Sequence, residues 1–96
     1  MLSGQVIEHT LRELKPSLTT QFHVSKIGYF GSFADGTQTE ESDVDILVEF
    51  SEVPGWSFFD LQILLEKTFQ RKVDLVTVKA LKEVLKERIL AQTHFV

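Results

Sequence analysis

Cysteine is absent from the 96 residues of this chain. Disulfide bonds, thiolate zinc sites and cysteine nucleophiles are therefore excluded. Long apolar runs are also missing, because no stretch approaches the roughly 18–20 residues that a membrane span needs. Residues 1–15 lack the charged-then-apolar order of a signal peptide. We therefore expect a cytoplasmic protein with no membrane partner.

Positive charge is scarce: ten Lys and Arg residues stand against fourteen Asp and Glu residues, which gives a net charge of -4. A domain held on nucleic acid by bulk electrostatics needs a basic surface, so that class of binding is not expected. Binding of one nucleotide through a metal ion stays compatible with this composition, because the metal supplies the positive charge. The length predicts a single domain spanning residues 1–96.

Apolar periodicity predicts alternating helices and strands. Helices are expected over 3–15, 56–70 and 79–91, and strands over 24–30, 43–50 and 72–77, with Pro16 ending the first helix or starting a second short one through about residue 22. The last helix is expected to turn Leu81, Val84, Leu85 and Ile89 inward.

A whole helix separates the second and third strands, so these two are expected to be parallel, whereas the first two can pair either way. The fold class is α/β (α+β): a small mixed β-sheet with helices packed on one face, which leaves the opposite face free to carry chemistry.

The alternating segment 43–50 places Asp43 and Asp45 on one side of a strand and its apolar residues on the other. Two neighbouring carboxylates repel each other unless a cation lies between them. Mg²⁺ suits this position, because it takes carboxylate oxygens and keeps coordination sites for substrate phosphates. If the third strand lies alongside, Asp74 can join the pair, and three carboxylates can hold two metal ions for an in-line displacement at phosphorus.

Gly31 and Ser32 follow the first predicted strand and begin a polar loop with one expected helical turn. A glycine here lets the backbone approach a phosphate closely, and a following turn directs N–H groups at the anion. The Ser32 hydroxyl adds another donor. The loop is therefore interpreted as the binding site for a triphosphate.

The stretch GSFADGTQTEESDVDILVEF resembles the signature of the polymerase-β-like nucleotidyltransferases, specifically their minimal (MNT) branch. That pattern is Gly-Ser, ten residues, Asp-x-Asp and a later acidic residue on a strand, and this chain matches it at Gly31, Ser32, Asp43, Asp45 and Asp74. VDLVTVKALKEVLKERIL also looks like the closing strand and helix of the family, so the resemblance covers nearly the whole chain.

The resemblance implies a Mg²⁺-dependent enzyme, with two metal ions at Asp43, Asp45 and Asp74, that transfers a nucleoside monophosphate from a nucleoside triphosphate. Small MNT proteins often act as antitoxins, transferring AMP from ATP to a tyrosine of a HEPN-domain ribonuclease toxin. One departure is Asp35, where many MNT proteins have a basic residue that can pair with a phosphate. A homo-oligomer is compatible with the sequence.

The sequence leaves alternative interpretations open, both for the function and for several residues. An antitoxin that only binds its toxin, or a nucleotidyltransferase acting on a small molecule or an RNA end, would also fit the family. Asp43 and Asp45 could be solubilising charges on an edge strand, and Asp74 a solvated strand residue. Trp56, Phe58 and Phe59 could pack in the core or form a partner-binding patch. The three histidines, His9, His23 and His94, are not at metal-ligand spacing.

Overall fold

A four-stranded sheet organises the protein in a computed structural model that describes residues 2–96. Its strands stand in the order β3-β2-β1-β4. In chain order the elements are α1 (Gly4–Phe22), β1 (Val24–Phe30), α2 (Ser32–Asp35), β2 (Val44–Phe50), α3 (Ser57–Phe69), β3 (Val73–Thr77), a 3-10 turn (Val78–Ala80), α4 (Glu83–Gln92) and β4 (His94–Phe95).

The sheet is mixed, as predicted. β2 and β3 are parallel, with α3 as the crossover between them, which confirms the expected pairing. β1 is antiparallel to β2 and so settles the pairing that the sequence left open. On its other side β1 pairs with β4, also antiparallel.

The core lies between one face of this sheet and the helices α1 and α3. Its fully buried members include Ile7 and Leu11 of α1, Leu61 and Leu65 of α3, and Ile46 of β2. Burying an aliphatic side chain of this size contributes about 1.5–3 kcal/mol. The predicted packing of helices on one face is therefore confirmed for α1 and α3.

Helix α1 differs from the expectation, because it runs without a break through Pro16. A proline inside a helix lacks an N–H donor and costs about 3 kcal/mol. Leu11 and Leu18 lie on either side of it, and both are fully buried in the core. One continuous helix keeps both in the core, and their burial offsets the cost of the proline.

The C-terminal helix departs further from the sequence prediction than α1 does. The predicted helix 79–91 begins later, at Glu83, after a 3-10 turn. Its expected inward residues are not all inward: Val84 is 90% exposed and Leu85 44% exposed, and none of the α4 residues is buried. The sequence shows an apolar stripe on α4, but the core is already filled by α1 and α3.

Strand β4 was not predicted, because two residues are too few for a periodicity signal. It places the chain end against β1, where the Val96 N–H donates to the Ile27 carbonyl (3.0 Å) and Lys15 Nζ donates to the Val96 carbonyl (2.7 Å).

The sheet face opposite the core is only partly open, which corrects the expectation of a free face. Gly28 lies against Thr93 and the His94 carbonyl, so that a β-carbon at residue 28 would come within 3 Å of both. Leu47, the register partner of Gly28, is fully buried. The open part of this face is therefore its other end, where β2 and β3 begin. Within residues 2–96, no helix is both long and apolar enough to cross a membrane.

Candidate active site

Two carboxylates lie side by side where β2 and β3 begin. Asp45 and Asp74 are direct register partners in the parallel pair. Their strand neighbours Val44, Ile46 and Val73 are fully buried in the core, so both aspartates point to the opposite, open face. Neighbouring strands are about 4.8 Å apart, which puts the two side chains within reach of one ligand. Asp43 lies one residue before β2.

The electrostatics show that these carboxylates interact. Partial burial raises the pKa of Asp45, and the negative charges of Asp74 and then Asp43 raise it further. Such mutual repulsion is relieved by a proton or by a cation bound among the oxygens. A set made only of carboxylate oxygens fits a hard divalent ion such as Mg²⁺.

The third carboxylate, Asp43, lies beside a basic residue. Asp43 Oδ2 is 3.9 Å from Lys72 Nζ, and the Lys72 side chain is largely exposed while that of Asp43 is about half exposed. Within the described residues 2–96, no three acidic or histidine side chains converge closely enough to hold a metal ion. The backbone thus brings Asp43, Asp45 and Asp74 to one end of the sheet, and their side chains do not form a closed three-ligand centre in this structure.

Gly31 lies directly against the carboxylate of Asp45. A β-carbon at residue 31 would overlap Asp45 Oδ2, and the backbone has a φ of +72°, which side chains rarely adopt. Both facts require a glycine. The structure therefore brings the Gly-Ser loop and the acidic strand into direct contact, which their separation in the sequence left open.

The predicted helical turn after Gly31 is present as α2, which Ser32 begins. The Gly31 carbonyl accepts from the N–H groups of Ala34 and Asp35 at 3.0 and 3.1 Å. The N–H groups at the start of such a turn have no partner inside it and are available to an anion.

Asp35, which departs from the family pattern, is exposed and engaged locally. Its Oδ1 accepts hydrogen bonds from the hydroxyl and the N–H of Thr37. These bonds lower the pKa of Asp35, chiefly through the hydroxyl. The carboxylate therefore fixes the turn that follows α2.

Two basic residues beside the site were not singled out from the sequence. Lys72 faces Asp43, and the half-buried Arg71 donates to backbone carbonyls of the loop that leads to Asp43. Their position, just before the VDLV strand, was the available signal. Glu49 lies at the other end of β2 and accepts from the Ser25 hydroxyl.

The aromatic residues at the start of α3 are neither all in the core nor all on the surface. Phe58 packs against the core, whereas Trp56 is 83% exposed and Phe59 53% exposed. The three residues therefore belong partly to the core and partly to the surface.

Comparison with known proteins gives the family. The model of the family described as polymerase beta, nucleotidyltransferase matches residues 12–96. The protein adenylyltransferase MntA of Thermococcus cleftensis is 39% identical over 97 residues, which cover 100% of this chain and 98% of that protein.

Solved structures share the fold. A structure described as a candidate minimal nucleotidyltransferase is similar with a TM-score of 0.81 at 29% identity, covering 97% of this chain and 95% of that one. A toxin–antitoxin structure with AMP-PNP gives a TM-score of 0.70 at 26% identity, covering 86% and 69%. A complex of tri-AMPylated HEPN toxin with MNT antitoxin from Shewanella oneidensis gives 0.67 at 22% identity, covering 96% and 70%, and shows the fold alone.

Proposed function

This chain belongs to the polymerase β nucleotidyltransferase family, and we propose that it transfers AMP from ATP to a tyrosine hydroxyl of a HEPN-domain toxin, and so acts as an antitoxin. One observation carries the proposal: Gly31 lies against Asp45, and Asp45 lies beside Asp74. A loop suited to a triphosphate and a pair of carboxylates suited to its metal ions thereby share one open end of the sheet.

The residues of the site have different proposed roles. Asp43 and Asp45 would hold Mg²⁺, with Asp74 as a further ligand. Mg²⁺, when bound, stabilises negative charge on the phosphates and on the attacking oxygen. Gly31 and Ser32 bind the triphosphate through backbone N–H groups and the serine hydroxyl.

The transfer itself is a displacement at the α-phosphorus. The tyrosine oxygen forms a bond to the α-phosphorus, the bond from that phosphorus to the β-phosphoryl oxygen breaks, and pyrophosphate leaves. Asp74, which is exposed and beside Asp45, accepts the tyrosine proton. The protein contributes positioning and charge, as is usual for phosphoryl transfer.

The choice of AMP and of a protein acceptor is supported by relatives. The 39% identical Thermococcus protein is named a protein adenylyltransferase, and a related toxin–antitoxin structure contains AMP-PNP. The tyrosine acceptor comes from the family resemblance. The acidic composition is consistent with a protein acceptor, because an RNA acceptor would favour a basic surface.

A second candidate function is neutralisation of the toxin by binding alone. The observation that favours it is that, within residues 2–96, no three acidic or histidine side chains converge closely enough to hold a metal ion. In that case the toxin would be inhibited without being modified.

Label transfer separates the two functions. The purified chain, Mg²⁺ and each α-³²P-labelled triphosphate are incubated with the product of the adjacent gene, which the proposal expects to be a HEPN-domain protein, and the label on that protein is counted. We expect labelling from ATP, lost in the D43A/D45A variant and retained in the control Asp60→Ala, which removes an exposed carboxylate on α3. Mapping of the label to a tyrosine confirms the acceptor.

The contrary outcomes are equally specific. A D43A/D45A variant that still labels the toxin contradicts the assigned metal ligands. A wild-type chain that forms a tight complex, transfers no label and blocks the toxin as well as D43A/D45A does would establish neutralisation by binding.

A further inference from the structure

We propose that Arg71 is a positioning residue that fixes the loop bearing Asp43 against the strand bearing Asp74; its effects on metal binding and on turnover rest on the proposed function, whereas its effect on the loop does not. Arg71 lies three residues before Asp74, between α3 and β3, and its side chain is half-buried. Its Nη1 donates to the Ser42 carbonyl at 2.8 Å and to the Thr39 carbonyl at 3.3 Å. Ser42 immediately precedes Asp43.

The same guanidinium also contacts α2. Arg71 Cζ lies 5.4 Å from the ring centroid of Phe33, a geometry that favours a cation–π contact. Phe33 is buried and directly follows Ser32. One side chain therefore joins three segments of the site: the turn after Gly31, the loop 36–43 and the start of β3.

The loop has few other anchors at its centre. Within it, the Ser42 N–H donates to the Thr39 carbonyl at 3.1 Å, and the Thr39 N–H donates to the Ser42 hydroxyl at 2.8 Å. These bonds shape the loop but do not attach it to the rest of the molecule. Among the side-chain hydrogen bonds of residues 2–96, the Thr37–Asp35 bonds attach the start of the loop to α2, and the two made by Arg71 are those that reach its centre, residues 38–42, from another element.

Arginine suits this position better than lysine. The guanidinium is planar, so it can lie over an aromatic ring while its edge donates to carbonyls, and it stays charged when partly buried. An ammonium group can also donate to carbonyls, but it has no planar face to lie over the aromatic ring. Arg71→Lys should therefore restore only part of the function that Arg71→Ala loses.

The expected consequence of losing Arg71 is local. Asp45 and Asp74 are held by the β2–β3 pairing, which does not involve the Arg71 side chain. Asp43 depends on the loop, so its position becomes variable. Removing residues that orient metal ligands typically costs 10- to 100-fold in metal affinity, and we expect about tenfold weaker binding of Mn²⁺, used as a probe for Mg²⁺.

Limited proteolysis and metal binding test the proposal without ATP or a toxin. A glutamate-specific endopeptidase can cut the loop after Glu40 and Glu41, and we expect severalfold faster cleavage there in Arg71→Ala, with Arg71→Lys intermediate. Titration calorimetry of Mn²⁺ should show the tenfold loss of affinity. The matched control is Arg12→Ala, which removes the same charge from the exposed side of α1 and should change neither.

The results distinguish positioning from general stability. Faster cleavage confined to Glu40 and Glu41, with weaker Mn²⁺ binding, supports the proposal. Cleavage that rises equally after Glu8 and Glu66, which lie in helices, would instead assign Arg71 to overall stability. Unchanged cleavage and unchanged Mn²⁺ affinity would overturn the proposal. The proposed function fails separately, if the wild-type chain transfers no label.

For an active enzyme, the kinetic result is also specific. The Mg²⁺ concentration that gives half-maximal rate should rise about tenfold in Arg71→Ala, while kcat at saturating Mg²⁺ should fall less. A variant that loses kcat at every Mg²⁺ concentration, with normal metal dependence, would contradict a positioning role through Asp43.

Discussion

Asp45 is the residue at which folding and the proposed function conflict most directly. Its folded-state pKa is raised by burial and by Asp74 and Asp43, so the folded chain binds this proton more tightly than the unfolded chain does. The ionised group therefore costs stability at neutral pH, and that cost disappears as the pH falls through the raised pKa. Without divalent metal, we expect Asp45→Asn to melt a few degrees above wild type at pH 7.

The pH dependence of the difference in melting temperature between Asp45→Asn and wild type tests whether charge repulsion causes that difference. The advantage of Asp45→Asn should shrink as the pH falls from neutral toward about 4, the ordinary range of an aspartate, in melting curves followed by circular dichroism. Asp60→Asn is the control, because Asp60 lies in the first turn of α3, where a negative charge is favourable. A difference for Asp45→Asn that is negative, or constant over this pH range, would refute the repulsion argument.

Gly31 combines backbone strain with steric overlap, whereas Gly36 has milder backbone strain and no overlap. Gly31→Ala should destabilise the fold by at least about 3 kcal/mol, because it combines a strained positive φ with overlap on Asp45. Gly36 has a φ of +81° and a ψ of 9°, in the left-handed helical region, which is less strained for a side chain than the ψ of -147° at Gly31. Nothing lies within 4 Å of the added carbon, so Gly36→Ala should cost only about 1–2 kcal/mol. Urea denaturation measures both, and equal costs would show that Asp45 is free to move aside.

At the level of elements, the sequence pattern predicted the helices and strands whose formation depends on residues close together in the chain. β1, β2, α3 and β3 each combine a clear period with buried apolar residues, and each appears within two residues of its predicted bounds. The adjacency of Asp45 and Asp74 followed from the parallel pairing that a helical crossover favours. Such features are encoded within one element or one connection.

The elements that differ depend on tertiary packing. Pro16 is tolerated because α1 must bury residues on both sides of it, and α4 stays exposed because the core is already filled. β4 exists only because β1 offers it an edge. The contact between Gly31 and Asp45, and the anchoring of the loop by Arg71, likewise join segments that are distant in sequence.

Helix α3 provides a test of which aromatic residues stabilise the fold. Phe58 packs against the core, with its ring centroid 6.4 Å from that of Phe50, whereas Trp56 is 83% exposed. We expect Phe58→Ser to lower the free energy of unfolding by about 2–4 kcal/mol and Trp56→Ser to change it by less than about 0.5 kcal/mol. Urea unfolding is followed by circular dichroism rather than by fluorescence, because Trp56 is the sole tryptophan and its replacement removes the fluorescence signal. A large loss for Trp56→Ser would show that its ring is covered.

At the scale of the whole molecule, the acidic balance and the site are linked. The chain carries a net charge of -4, and three carboxylates gather at one end of the sheet. The fold keeps them together because apolar residues on the other side of β2 and β3 are fully buried, including Val44, Ile46 and Val73. Burial of apolar residues in the core therefore offsets the repulsion among the carboxylates. A bound cation would reduce that repulsion and so stabilise the fold.

This linkage predicts that Mg²⁺ raises the melting temperature. A ligand that binds only the folded state adds RT ln(1 + [L]/Kd), so a Kd near 1 mM would give about 1.4 kcal/mol at 10 mM Mg²⁺. For a domain of this size that corresponds to roughly 6–11 °C. NaCl at matched ionic strength controls for screening, and Asp60→Asn controls for the loss of one charge. The D43N/D45N variant should lose the Mg²⁺-dependent rise. An equal rise in that variant would place the cation elsewhere on the molecule and remove the basis for assigning these carboxylates to the metal.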